Sequence, residues 1–123
     1  MRLEREPWGP AALLRAAGEL GPRDMAALRA AITEALDGGA HQVVVDMSRV
    51  EHIDYVTLGV LVERAARARA LGGGLMLSGC SPYLQDILRF AGVHLALPTA
   101  ESPGAAFAAL GELAVAPAWV TGR

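Results

Sequence analysis

With 123 residues the chain makes one domain, a globule with a radius of gyration of about 14 Å, and leaves no room for a second. Hydrophobic residues are 53% and charged residues 20%, enough to bury a continuous core and to exclude disorder for the bulk of the chain. Eleven basic against thirteen acidic residues give a net charge of −2, which offers no basic field for a phosphate backbone and excludes nucleic acid as a direct partner.

Cys80 is the single cysteine, so no internal disulfide forms. Residues 1–10 carry charges where a secretory signal needs an apolar run, and no apolar stretch reaches the roughly 18 residues of a membrane span. The expectation is a soluble, cytoplasmic protein. All eleven basic residues are Arg, a bias that assigns no function.

Leu13, Leu14, Ala16 and Ala17 form a short apolar run that stops at Gly18, the length of a strand. From Pro22 the spacing changes: Met25, Leu28, Ile32, Ala35 and Leu36 recur every three or four residues until Asp37-Gly38-Gly39, which predicts an amphipathic helix. Residues 42–47 hold three consecutive valines and then Asp46, as in a strand covered on both faces. A loop with His52 and Asp54 follows. Leu58, Leu61, Val62, Ala65 and Leu71 then mark a second helix, ended by Gly72-Gly73-Gly74.

Residues 75–78 read as another short strand. Ser81-Pro82 supplies a cap and a first-turn proline for a third helix, with Leu84, Ile87, Leu88 and Ala91 inward and Gly92 as its stop. Residues 93–97 are assigned to an edge strand, and Ser102-Pro103 opens a fourth helix carrying Phe107, Leu110 and Leu113. Strands alternating with helices on short connections predict one α/β domain over 1–123, with its core at about 13–113 and residues 1–10 and 114–123 peripheral. Trp8, Pro117 and Trp119 fall outside the alternation, frayed, over a sheet edge or against a partner.

Chemistry-bearing motifs are scarce. Gly72-Gly73-Gly74 sits after a helix and before a strand, the reverse of a phosphate-cradling loop, and a chain without Lys cannot hold a Walker lysine. His41, His52 and His94 are scattered singly without metal-ligand spacing, so neither a metal site nor a cofactor is expected. Cys80 lies between a strand end and a helix cap without a neighbouring His, and is read as a small buried hydrophobe ahead of a nucleophile. Glu63 with Arg67 and Asp86 with Arg89 are spaced as solvated helix pairs. Asp46 and Asp54 bracket the most unusual segment, where two carboxylates could serve an enzyme. Asp54 suits equally the cap of the second helix, and that assignment is preferred. The chain is expected not to be an enzyme.

At these residues the chain resembles the STAS family, the domain shared by sulfate transporters and bacterial anti-sigma factor antagonists. Leu14-x-x-x-Gly18-Glu19-Leu20 is similar to the family's first buried strand and turn, and Val43-Val44-Val45-Asp46-Met47-Ser48 to its central strand ending in D-L-S. Ile53-Asp54 followed by Leu58-Gly59-Val60-Leu61 is similar to the family's I-D-S-S-G-L-G-V-L segment, and Leu71-Gly72-Gly73, Ser81-Pro82 and Ala91-Gly92 follow in the family's order. The resemblance spans about residues 13–113. It implies a STAS-like α/β fold with a four- to five-stranded mixed sheet and four helices packed mainly on one face. It also implies a regulatory protein that binds an anti-sigma factor of kinase-like fold and so releases a sigma factor. In such partner switching, phosphorylation of a serine at the start of the second helix blocks binding, since a phosphate adds about −1.5 to −2 charge to the docking face.

The chain departs from that pattern at the switch. Tyr55 and Val56 stand where the family has two serines, Thr57 where it has Gly, and Gly21 where many members have Asp. Val56 has no hydroxyl. Thr57 could accept the phosphate if the register shifts by one, but a helix-start side chain bonding the backbone is its preferred role. A helical wheel directs Tyr55, Thr57, Val60 and Arg64 away from the core stripe, so the expected docking face is Asp54, Tyr55, Val56, Thr57, Val60 and Arg64. The resemblance leaves a second expectation open, a STAS subunit of an ABC-type transport complex that contacts its ATPase. A homodimer is a further possibility.

Overall fold

The structure, a computed structural model, describes residues 1–114, with side chains as far as Gly111. Trp119 and Pro117 lie outside the described residues. Five strands form one sheet in the order β1 (Arg2–Trp8), β2 (Ala11–Leu20), β3 (Gln42–Ile53), β4 (Gly74–Ser78) and β5 (Thr99–Ala100). Strand β1 runs antiparallel to β2, and the other pairs are parallel, so the sheet is mixed. The helices are α1 (Met25–Asp37), α2 (Tyr55–Ala70), α3 (Pro82–Phe90) and α4 (Pro103–Ala114), with a 3-10 turn at Pro22–Asp24 before α1.

Alternation along β2 and β3 divides the core in two. Ala12, Leu14, Ala16, Val43, Val45 and Met47 face one side, where Leu28, Ile32, Leu58, Leu61, Leu84 and Leu88 of α1, α2 and α3 cover them. Leu13, Val44 and Met76 face the other, under Ala106, Phe107 and Leu110 of α4. Three helices on one face and one on the other agree with the expected architecture.

Two sequence expectations are corrected. Residues 1–10, set aside as peripheral, contain β1, which pairs along its whole length with β2 and stacks Trp8 on Phe107 at 4.9 Å between ring centroids. Its alternation is hidden because an edge strand with one solvated face carries mostly charge, here Arg2, Glu4, Arg5 and Glu6, with Leu3 packed against the larger core cluster. Residues 93–97, assigned to an edge strand, form a turn, and the last strand is Thr99–Ala100. Leu97 is buried there as a plug of the core, with its N–H bonded to the carbonyl of Val93. A buried aliphatic residue in a compact turn has the same composition as a short strand, and periodicity cannot separate the two.

Candidate functional site

The sheet extends unevenly at the end where β2, β3 and β4 finish. Strand β4 pairs with β3 only as far as Asp46 opposite Ser78, whereas β2 follows β3 to Leu20 opposite Ile53. The last residues of β2 and β3 therefore project as a two-stranded arm, with register shifts after Arg15 and after Gly18. Gly18 takes φ +92°, a backbone conformation open to glycine at little cost. His52, expected in a loop, belongs to this arm, opposite Glu19.

Asp54 ends the arm and caps α2: its side chain accepts the backbone N–H of Thr57 at 2.8 Å. That N–H bond, ahead of a smaller contribution from His52, holds the Asp54 carboxyl below the usual carboxylate range. Two further bonds fasten the helix start to the turn before α1. The N–H of Asp54 donates to the carbonyl of Leu20 at 3.2 Å, and the Thr57 hydroxyl donates to the carbonyl of Gly21 at 3.2 Å. The Gly21 N–H in turn donates to Asp24, whose carboxylate lies 3.5 Å from the N-terminal amine.

This frame sorts the expected docking residues into two sets. Tyr55 and Val56 are 63% and 56% exposed at the first turn of α2, with Asp54 half-buried beside them. Thr57 is 0% exposed and Val60 is buried, so the wheel's outward placement of both is corrected. Arg64 is corrected as well: its side chain is 13% exposed and is drawn toward α1, where Nη1 donates to Thr33 at 3.0 Å. Its Nη2 meets Glu63 at 2.5 Å, and Arg29 of α1 reaches the same carboxylate at 2.9 Å. Thr57, Val60 and Arg64 are spaced i, i+3 and i+7 and therefore share one arc of the helix, turned to α1 and the Gly21 turn.

Sequence reasoning missed a neighbouring pair. His52 and Tyr83 of α3 share a hydrogen bond, Nδ1 to phenol oxygen, at 2.7 Å, and their rings stack at 5.8 Å between centroids. Tyr83 is 53% exposed. The pair links the arm to the first turn of α3, which Ser81 caps by accepting the N–H of Leu84 at 3.1 Å. The partners stand 31 positions apart, a separation that carries no local signal.

The residues considered for catalysis are otherwise engaged. Asp46 is 4% exposed and accepts from Ser78 at 2.9 Å, Ser48 at 2.8 Å and Arg15 at 3.3 Å. It is a satisfied buried carboxylate of the kind that fixes strand positions. The Cys80 thiol is pushed up to about 11 by burial and, secondarily, by the Asp46 charge, which suppresses the thiolate. Among the described residues no group of three His, Cys, Asp or Glu side chains could hold a metal ion, and no helix is long and apolar enough to cross a membrane.

A family model described as "Mlab, STAS domain" matches residues 7–98. BtrV of Bordetella bronchiseptica, provisionally named an anti-sigma factor antagonist, is 30% identical over 82 residues, covering 67% of this chain and 71% of BtrV. The phosphorylated form of the Bacillus cell fate determinant SpoIIAA superposes with a TM-score of 0.68 at 21% identity, over 88% of this chain and 99% of SpoIIAA. Murine Slc26a9, an anion transporter, carries the same fold in part of its length: TM-score 0.72 at 16% identity, over 86% of this chain and 18% of the transporter.

Proposed function

Because the chain belongs to the STAS domain family and is an anti-sigma factor antagonist-like member of it, we propose that it works by reversible docking of its α2 start onto an anti-sigma factor of kinase-like fold. The reading includes no cofactor, no chemistry of its own, action in the cytoplasm, and no use of the phosphoserine that usually controls such docking.

One observation carries the reading: Tyr55 and Val56 stand exposed on a first helical turn that is otherwise tied down. A solvent-facing aromatic and a branched aliphatic side chain on a fixed frame suit the buried centre of a protein interface. Thr57 belongs to the frame, because its hydroxyl is buried and already donated to Gly21. Val56 has no hydroxyl to modify. The role that phosphate plays elsewhere is therefore absent from both positions in this reading.

The test is the affinity of the full chain for the purified anti-sigma factor, with Val56→Asp as the variant. A carboxylate forced unpaired into a packed interface is expected to weaken binding by about 100-fold. Unchanged affinity would show that the docking face is elsewhere. A second reading, a STAS subunit docking on a transporter ATPase, is favoured by the same loss of a hydroxyl, since a permanent subunit needs no phosphate switch. Co-purification with a nucleotide-binding subunit in place of the anti-sigma factor is the result expected for it.

A further inference from the structure

The docking face has an aromatic extension and an acidic border. His52 stacks on Tyr83, so the exposed surface runs from Tyr55 and Val56 on α2 across the arm to the first turn of α3. Glu19 and Glu51 stand on the projecting ends of β2 and β3, both exposed, and neither has an ion-pair partner among the described residues. Asp54 adds a third carboxylate, whose charge is kept by the Thr57 N–H. On the neighbouring turn the opposing guanidinium is Arg23, and Arg49 of β3, opposite Ala17, lines a groove with Arg2, Glu4 and Arg15, so these two guanidinium groups stand against the three carboxylates. This end of the arm is thus net acidic in a chain whose whole charge is only −2.

Unpaired carboxylates around an apolar centre are paired by basic groups on whatever covers them, and this arrangement sets association rate and register. We propose that the face takes a protein surface with an apolar ridge flanked by Arg or Lys side chains. The ridge seats across Tyr55, Val56, His52 and Tyr83, and the cations meet Glu19 and Glu51. This inference rests on the docking reading above and adds to it the chemistry of the partner and the participation of α3.

The test titrates the full chain with the purified kinase-like anti-sigma factor of the same organism at about 50 and 500 mM NaCl, a range over which surface charges become largely screened. Wild-type affinity is expected to fall by about tenfold across that range. The double variant Glu19→Gln, Glu51→Gln should bind about tenfold more weakly at low salt and lose most of the salt dependence, and Tyr83→Ala should weaken binding by about tenfold at both salts. All four positions are exposed or on the rim, and circular dichroism checks that each variant keeps the fold. If the double variant binds as tightly as wild type or tighter, with Val56→Asp still weakening the complex by about 100-fold, the acidic border is overturned and the docking reading stands. Wild-type binding to Tyr83→Ala overturns the extension onto α3. If Val56→Asp also binds normally, or the wild-type chain does not bind, the docking reading itself falls.

Discussion

Thr57→Val separates a structural threonine from a modified one. The substitution keeps the shape of a side chain that is 0% exposed, so no cavity forms, and it deletes one donor, the hydroxyl that reaches the Gly21 carbonyl at 3.2 Å. A neutral hydrogen bond contributes about 1 kcal/mol net, and the half-buried Gly21 can recover part of that from water. The expected loss is therefore about 1 kcal/mol, or a melting temperature lower by about 4 °C in a domain of this size. Urea unfolding followed by circular dichroism should show a lower midpoint with an unchanged slope, because the surface exposed on unfolding is the same. Thr57→Glu buries a charge at the same point and should cost about 3 kcal/mol or more. Intact-mass spectrometry of the wild-type chain after incubation with a purified anti-sigma factor of kinase-like fold and ATP should show no added phosphate. Wild-type stability in Thr57→Val, or phosphate on Thr57 of the folded protein, would refute the burial argument.

Asp54→Ala should cost about 1 kcal/mol as a lost helix cap at pH 7. Because the folded carboxyl titrates below its unfolded value of about 3.9, its contribution is complete above that value and disappears as the pH falls through the lower folded one. The gap between wild-type and variant urea midpoints should therefore narrow progressively as the pH falls below about 4. At the turn before β4, a methyl group on Gly73 would run into the backbone carbonyl of His41, which already accepts the N–H of Gly74 at 3.0 Å. Gly73→Ala should cost about 4 kcal/mol or more, and Gly72→Ala, at φ +88° in open space, about 1 to 2 kcal/mol, an order that thermal melts would check. Cys80 should react with a disulfide reagent at pH 8 about 100-fold more slowly than a free thiol, its value of about 11 leaving little thiolate, and should recover the full rate in urea.

The central elements are legible because each has a local physical signature. Three consecutive β-branched valines before Asp46 read as a doubly covered strand, and Val43, Val44 and Val45 are all 0% exposed, divided between the two core clusters. Ser81 and Ser102 cap α3 and α4 as their Ser-Pro pairs announce, the second by accepting the N–H of Ala105 at 3.1 Å. Strand β1 had no such signature. Its place follows from the turn at Gly9, φ +57°, and from the free edge of β2, and neither is visible until the sheet exists.

The site was half legible for a different reason. A helical wheel assumes one buried stripe, but α2 is covered along two arcs: Leu58, Leu61, Ala65 and Ala68 against the core, and Thr57, Val60 and Arg64 toward the Gly21 turn and α1. The second arc is polar at both ends and reads as surface in the sequence. It becomes interior because the Gly21 carbonyl and the Thr33 hydroxyl offer it partners from elsewhere in the chain. What remains for solvent is a narrow arc beginning at Tyr55 and Val56, continued by Gly59 and Glu63. A switch that works by adding charge needs a hydroxyl on that narrow arc, close enough to the interface to repel the partner. Beyond the Tyr55 phenol, the arc's first turn presents only Val56, and the aliphatic hydroxyl beside it is spent on the frame. On the docking reading, occupancy of this face then follows the concentration of the partner and of its competitors, and rises or falls with ionic strength through Glu19 and Glu51, without a phosphate at Val56 or Thr57 to break it.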